Sequence, residues 1–294
     1  MDLVDLMDLM DHLIGRPDPT RCGQGDKRTM KKALTIAAIA TVACASVAQT
    51  KSAADGIAEY RAMLADGNPA ELFEAKGELL WKTRRGPKNA SLELCDLGLG
   101  AGVVKGAFVQ LPRWFADTAR VQDLESRLLT CLERLQGFDA GAIAATPFGR
   151  GEQLALEGLT AWISAESKGL KFALPQAHAQ ERKFYELGKR AFFYRAGSYD
   201  FSCASCHGQP DKRIRLQDLP ELTKNPGDGV GFAAWPAYRI SSGEMWSMQR
   251  RLNDCYRQQR FPYPGYASDV TVALGVYMGV NAQGAESVAP ALKR

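Results

Sequence analysis

The sequence predicts a mainly α-helical protein made of two tandem domains with the same fold. Apolar residues recur at helical spacing in several segments, whereas long stretches with strand-type alternation are scarce. Two ordered blocks of residues also appear once in each half of the chain. With 294 residues, the chain is long enough for two domains of ordinary size. The net charge of +4 is small and no long basic run alternates with aromatic residues, so no nucleic-acid partner is indicated.

Six segments have the apolar spacing expected of helices. Residues 69–82 begin with Pro69, a residue favoured in the first turn of a helix. Residues 181–194 occupy the corresponding place in the second half of the chain. The other predicted helices are residues 123–136, 152–163, 243–259 and 268–278.

The duplication aligns two blocks of residues. The first block aligns without a gap, so that Gly77, Arg84, Gly86, Ser91 and Cys95 meet Gly188, Arg195, Gly197, Ser202 and Cys206. In the second block, R-L-x-x-C occurs at residues 127–131 and again at residues 251–255. The sequence therefore predicts two related domains, at residues 49–166 and 177–294, with a boundary near residues 167–176.

Residues 203–207 carry the motif C-x-x-C-H, which attaches a c-type haem. Its two thiols form thioethers with the haem, and its histidine binds the iron. A zinc site would need a second pair of ligands, and a thioredoxin-type dithiol would need a strand–helix context. The sequence thus predicts one covalently bound haem c, attached to Cys203 and Cys206, with His207 as an iron ligand.

The copy of this motif in the first half is incomplete. It keeps Cys95 but has Leu92 and Asp96 where the second copy has a cysteine and the histidine. The predicted fold class is therefore mainly α, with two tandem cytochrome c-like domains of which the first has no haem.

The N-terminal region has the features of an export signal that starts late. Two lysines precede an apolar run at residues 33–43, and a small-x-small cleavage site follows at residues 46–48. The sequence predicts a signal peptide at residues 30–48, a periplasmic mature protein and, before Met30, a non-native or disordered extension at residues 1–29. The apolar run is too short to cross a bilayer, so the mature chain is expected to have no membrane span.

The cysteines that remain after this cleavage are Cys95, Cys131, Cys203, Cys206 and Cys255. Haem attachment uses two of them and leaves an odd number. In the repeat, Cys95 and Cys131 take the places of Cys206 and Cys255, so in a domain without haem they can approach each other. The prediction is a Cys95–Cys131 disulfide and a free Cys255, and the alternative is two unpaired buried cysteines in the first domain.

The iron ligand opposite His207 is expected among three downstream residues, Met245, Met248 and Cys255. Methionine is the usual ligand in an electron carrier. The R-L-x-x-C repeat nevertheless singles out Cys255, which we favour as a thiolate ligand, with the two methionines as helix packing residues. His178 precedes the first helix of its domain and is poorly placed for this role.

The surroundings of Cys255 in the sequence are basic. Arg251 precedes it by one helical turn, so both side chains lie on one helix face. The other arginines near it in sequence are Arg239, Arg250, Arg257 and Arg260. Such a cluster is expected to lower the pKa of the thiol and to bind an oxyanion. The alternative is that these arginines are solvated or pair with Asp254 and Glu244.

Together these residues resemble the SoxA family, the larger cytochrome subunits of SoxAX complexes in bacterial sulfur oxidation. The resemblance covers essentially the whole mature chain and, because the first C-x-x-C-H is lacking, points to the branch with a single haem. It rests on C-D-L-G at residues 95–98, L-P-R-W-F-A-D at residues 111–117, D-L-E-S-R-L at residues 123–128, F-S-C-A-S-C-H at residues 201–207, K-R-I-R-L at residues 212–216 and M-Q-R-R-L-N-D-C at residues 248–255.

The resemblance implies an L-cysteine S-thiosulfotransferase that oxidatively couples thiosulfate to the carrier cysteine of SoxYZ. It implies that Cys255 is the distal iron ligand and a cysteine persulfide intermediate, and that Arg251 binds the substrate. It also implies a SoxX-like small cytochrome subunit as a partner and a cytochrome acceptor for two electrons. The alternative function is a simple electron-transfer c-type cytochrome without covalent sulfur chemistry, which a methionine ligand would favour.

Overall fold

The computed structural model describes residues 56, 59, 62–63, 67–214, 217–224 and 229–293. The predicted extension at residues 1–29 and the predicted signal peptide at residues 30–48 lie outside these residues. The segment Ile57–Arg294 forms one compact unit, and the domain boundary near residues 167–176 stays a prediction. In the described part of the chain, no helix is long and apolar enough to cross a membrane.

The first half of the chain places a short hairpin between helices. Its elements are α1 (Ala70–Lys82), a 3₁₀ turn (Phe108–Gln110), β1 (Arg113–Phe115), β2 (Arg120–Gln122), α2 (Leu124–Cys131), α3 (Ala140–Ala145) and α4 (Gly151–Ala165). Helix α2 begins after Asp123, whose carboxylate accepts a hydrogen bond from the backbone N–H of Ser126 at 2.9 Å. It continues past Cys131 as one π-helical segment, Leu132–Gln136, so the helix predicted at residues 123–136 is present but changes its winding.

The second half repeats this arrangement around a larger sheet. Its elements are α5 (Ala179–Phe193), α6 (Cys203–His207), β3 (Arg213–Ile214), β4 (Gln217–Asp218), α7 (Gly229–Phe232), β5 (Ala237–Arg239), β6 (Glu244–Trp246), α8 (Met248–Gln258), α9 (Asp269–Asn281) and β7 (Ala291–Lys293). Strand β5 pairs antiparallel with β6 and parallel with β7. The β1–β2 hairpin of the first half corresponds to the β5–β6 hairpin of the second.

The prediction of a helix at residues 243–259 is wrong for residues 243–247. Residues 244–246 form β6, and α8 begins only after Ser247, whose hydroxyl accepts a hydrogen bond from Arg250 N at 3.1 Å. Pairing with β5 satisfies the backbone groups that a longer helix would otherwise use. Met245 is therefore a buried strand residue rather than a helix packing residue.

In each half, the first and last long helices cross and pack closely, α1 with α4 and α5 with α9. In α1, a Cβ added at Gly77 would overlap the carbonyl oxygen of Gly158 in α4. In α5, a Cβ added at Gly188 would overlap the carbonyl oxygen of Ala273 in α9 in the same way. Only glycine permits so close an approach, which explains why these two positions match in the sequence repeat.

A disulfide joins the predicted pair of cysteines in the first half. Cys95 and Cys131 have an S–S distance of 2.02 Å and a Cα–Cα distance of 5.6 Å, which is an ordinary disulfide separation. Both lie in the buried core that also contains Trp81, Leu128 and Leu159. The predicted Cys95–Cys131 disulfide is thus confirmed, and the alternative of two unpaired cysteines is wrong.

Candidate functional site

The C-x-x-C-H motif forms the single-turn helix α6. Ser202 precedes it, and the Ser202 hydroxyl accepts a hydrogen bond from Ser205 N at 3.2 Å. The His207 ring donates from Nδ1 to the carbonyl oxygen of Pro220 at 2.8 Å, which fixes the ring and leaves Nε2 free. Burial lowers the pKa of His207, so the imidazole is held in the neutral form that binds iron.

The donor set and its surroundings fit a covalently attached haem c. Cys203 packs against the buried core of the second half, whose members include Phe192, Leu222, Leu252 and Tyr256. Burial, together with the charges of the nearby Cys255 and Cys206 thiols, raises the pKa of Cys203 to about 12. One apolar region therefore holds two thiols for thioether bonds and, on the same helical turn, a neutral imidazole for the iron.

Cys255 lies on α8, close enough to the motif cysteines that, in addition to burial, its charge raises the pKa of Cys203 and the charge of Cys206 raises its own pKa. Its charge interacts with that of Cys206, which places the thiols near one another. The predicted lowering of the Cys255 pKa is wrong for the net effect, because burial raises it more than any other contribution. The charges of Arg251 and Arg239 do lower this pKa as expected, but burial and the carboxylate of Asp254 act against them.

Four of the arginines near Cys255 in sequence divide into two groups. Arg251 and Arg239 face the thiol, and Arg251 Nη1 donates to Asp254 Oδ2 at 2.9 Å. Arg257 is exposed and pairs with the other oxygen of Asp254 at 2.8 Å. Arg250 turns away to Glu157 at 2.7 Å and to Glu244. For Arg250, Arg251 and Arg257 the alternative of pairing with Asp254 or Glu244 is confirmed.

The other residues considered as iron ligands have different surroundings. Met245 is fully buried in a small cluster with Ala70 and Ala161, apart from the core that Cys203 contacts. Met248 packs against that second core. The His178 ring stacks on Trp114 at 4.3 Å, and its Nδ1 accepts a hydrogen bond from Gln180 N at the start of α5.

A buried carboxylate from the first half, not foreseen from the sequence, holds the start of α8. Glu125 of α2 accepts hydrogen bonds from Ser247 Oγ at 2.7 Å, Gln249 N at 3.2 Å and Tyr266 Oη at 3.0 Å. Because α8 carries both Arg251 and Cys255, Glu125 positions the helix that bears them. The only sequence signal is its place in the D-L-E-S-R-L block, and this pattern does not reveal the distant partners.

Replacing Glu125 with glutamine is expected to remove a pH dependence of stability. Burial, with the charge of Asp123, raises the pKa of folded Glu125 to about 8 from an ordinary 4.5. A raised pKa stabilises the fold at pH values below the unfolded pKa, and this contribution is lost as the pH rises through about 8. Urea unfolding of the wild type and of Glu125→Gln between pH 5 and pH 9 should therefore show a steeper loss of stability in the wild type. Parallel curves for the two proteins would contradict this assignment.

Comparison with known proteins agrees with this geometry. A family model described as SoxA/TsdA, cytochrome c domain, matches residues 76–172. The L-cysteine S-thiosulfotransferase subunit SoxA of Hydrogenophilus thermoluteolus is 50% identical over 273 residues, which are 90% of this chain and 100% of that protein. The subunit of the same name from Pseudaminobacter salicylatoxidans is 30% identical over 81% of this chain and 78% of its own length.

A solved structure also shares the fold. The crystal structure of SoxXA from P. pantotrophus matches with a TM-score of 0.67 and 20% sequence identity, covering 80% of this chain and 84% of that chain. With 50% identity to a curated SoxA subunit along 90% of its length, and with the C-x-x-C-H helix and the repeated helix pairs in place, the chain belongs to the SoxA family.

Proposed function

We propose that the chain is the SoxA subunit of a periplasmic L-cysteine S-thiosulfotransferase with one covalent haem c. The enzyme joins thiosulfate to the carrier cysteine of SoxYZ and passes two electrons to a cytochrome acceptor. The observation that carries the proposal is the grouping of a buried free thiol, Cys255, with Arg251 and with the cysteines of the C-x-x-C-H helix. A relative with half of its residues identical is named for this activity.

Arg251 and Cys255 have separate tasks in the proposed reaction. Arg251 lies one helical turn before Cys255. Its Nη1 pairs with Asp254, and the exposed part of its side chain can donate further hydrogen bonds to the sulfonate oxygens of thiosulfate. This contact orients the outer, sulfane sulfur of thiosulfate toward the Cys255 thiolate. A disulfide bond then forms between the two sulfurs, and two electrons leave the pair.

The transfer to the carrier requires no further redox change. The carrier thiolate attacks the sulfane sulfur bonded to Cys255, and Cys255 leaves as a thiolate. The product is the carrier cysteine bearing the sulfane sulfur and its sulfonate, and Cys255 returns to its starting form. While it is bound to Cys255, the sulfane sulfur is at the oxidation level of a cysteine persulfide. When bound, haem c would supply one-electron redox chemistry beside these residues.

We further propose that Cys255 is the iron ligand opposite His207. In the repeat, Cys95 and Cys131 correspond to Cys206 and Cys255, and the first pair meets directly in the half without haem. By this correspondence, Cys206 and Cys255 in the second half would both contribute to holding the haem. The burial of Met245 in a different cluster supports the thiol over this methionine.

Two observations support a small cytochrome partner subunit and a periplasmic location. The matching structure is a SoxXA complex, which supports a SoxX-like small cytochrome as the partner subunit. A disulfide and a C-x-x-C-H motif in one chain are typical of an oxidising compartment, which supports export to the periplasm.

A mass measurement on the carrier tests the proposed function. The complex of this chain with its small cytochrome subunit is incubated with thiosulfate, SoxYZ and an oxidised cytochrome acceptor. The expected result is a carrier cysteine heavier by one thiosulfate group, with two acceptor molecules reduced for each carrier modified. Reduction of the acceptor without any change in carrier mass would instead identify a simple electron carrier.

A further inference from the structure

Arg239 is the last residue of β5 and lies beside the start of α8. Its register partner is Glu244 of β6, the strand that leads through Ser247 into the helix of Arg251 and Cys255. The guanidinium group lies over the ring of Trp246 at 4.9 Å. Its Nε atom is buried and has no hydrogen-bond partner among the residues that the structure describes. A buried donor without a partner is costly, so this position favours binding of an acceptor beyond those that the described residues provide.

The neighbours of this unpartnered donor are those of the proposed reaction site. The charge of Arg251 lowers the pKa of Arg239, after burial as the largest cause, whereas Asp254 and Cys255 raise it. Two arginine side chains of like charge are thus held near each other and near the same thiol. Like charges at close range repel, and the carboxylate of Asp254, which acts on both arginines, is also shared with Arg257.

The first half of the chain has two residues at the positions that correspond to Arg239 and Arg251. In the repeat, Phe115 at the end of β1 corresponds to Arg239 at the end of β5, and Arg127 corresponds to Arg251. The Arg127 guanidinium lies over the Phe115 ring at 4.0 Å. It is satisfied by Asp117, with Nη1 at 2.9 Å from either carboxylate oxygen, and by the carbonyl oxygen of Asp96 at 2.6 Å.

The two halves differ in the residue at the end of the first hairpin strand, which is Phe115 in one and Arg239 in the other. In the half with the disulfide, an aromatic ring occupies this position, and the neighbouring arginine has Nε and Nη1 paired within the chain. The half with the free Cys255 has a second arginine there, and that arginine keeps a donor unused. An anion with several oxygens, bound beside the thiol, would satisfy both guanidinium groups at once.

We propose that Arg239 is a second anion-binding residue of the site, and that Arg239 and Arg251 together hold the sulfonate group of thiosulfate beside Cys255. This inference rests on the proposed function and adds a specificity-determining residue to it. Two forked cations match a doubly charged anion with three sulfonate oxygens better than one does. Trp246 and the β5–β6 hairpin hold Arg239 in place before the anion binds.

The test uses the haem-loaded complex with its small cytochrome subunit and the variants Arg239→Gln and Arg239→Lys. For Arg239→Gln, the Kd for thiosulfate, measured by calorimetry, and the KM should both rise about tenfold to hundredfold. The kcat should change less, because Arg251 and Cys255 remain. Arg239→Lys should recover part of the affinity, since it restores the charge but not the fork. The matched control is Arg120→Gln, which removes an exposed strand arginine paired with Asp269 and should leave both constants unchanged.

Two outcomes would overturn the inference. An unchanged Kd and KM in Arg239→Gln would show that this donor does not meet thiosulfate. A loss of haem, or a shifted haem potential, with unchanged thiosulfate affinity would show that Arg239 serves the haem carboxylates instead. Failure of the proposed function is distinguishable, because it would appear as absent carrier modification in the wild type, whereas the calorimetric Kd reports on Arg239 without turnover.

Discussion

Replacing Cys255 with alanine is expected to lower thiosulfate turnover by at least about a thousandfold while the haem stays attached. Cys255 is the thiol proposed to form the covalent sulfur bond, and alanine offers no atom to replace it. Haem attachment is expected to use Cys203 and Cys206 of α6, which this change leaves intact. The measurements are carrier mass after reaction with thiosulfate, and haem content from the absorption spectrum.

Two further variants separate the roles of Cys255. Cys255→Met keeps a sulfur ligand for iron but removes the nucleophile, so it should preserve a low-spin signal in electron paramagnetic resonance and lose carrier modification. Cys255→Ser tests whether a hydroxyl can replace the thiol. If Cys255→Ala kept both the wild-type low-spin signal and full carrier modification, the residue would be neither ligand nor nucleophile, and the enzymatic proposal would fail.

Much of the fold could be predicted because the two halves of the chain are similar and can be aligned with each other. Gly77 and Gly188 match in sequence since each lies at a helix crossing that excludes a side chain. The pairing of Cys95 with Cys131 could be predicted from spacing alone, because Cys206 and Cys255 hold the equivalent places in the other half. An internal repeat turns one-dimensional spacing into information about three-dimensional neighbours.

The parts that were missed depend on contacts between distant segments. The strand at residues 244–246 exists because β5 pairs with it, whereas local apolar spacing favoured a helix. Glu125 accepts a hydrogen bond from Ser247, which is 122 positions away in the chain, and no local pattern predicts that pairing. The pKa of Cys255 was misjudged because arginines are visible in a sequence, but the extent of burial is not.

Exchanging both Cys95 and Cys131 for alanine is expected to lower the free energy of unfolding by about 3–4 kcal/mol. The disulfide joins residues with a sequence separation of 36, so its removal gives the unfolded chain a large increase in conformational freedom. Both sulfur atoms are also buried in the first core, and alanine would leave a small void there. Chemical unfolding of the haem-loaded wild type and double variant, with and without reductant, measures the difference. Reductant should destabilise the wild type and leave the variant unaffected.

The matched control is Cys206→Ala, since Cys206 takes the place of Cys95 in the repeat. This change should lower covalent haem content and leave the Cys95–Cys131 disulfide intact, whereas the double variant should do the reverse. If the double variant lost haem to the same degree, the disulfide would be needed for the second half to bind its cofactor. Separate effects would instead show that each half has its own covalent crosslink, a disulfide in one and a haem in the other, at corresponding positions of one duplicated fold.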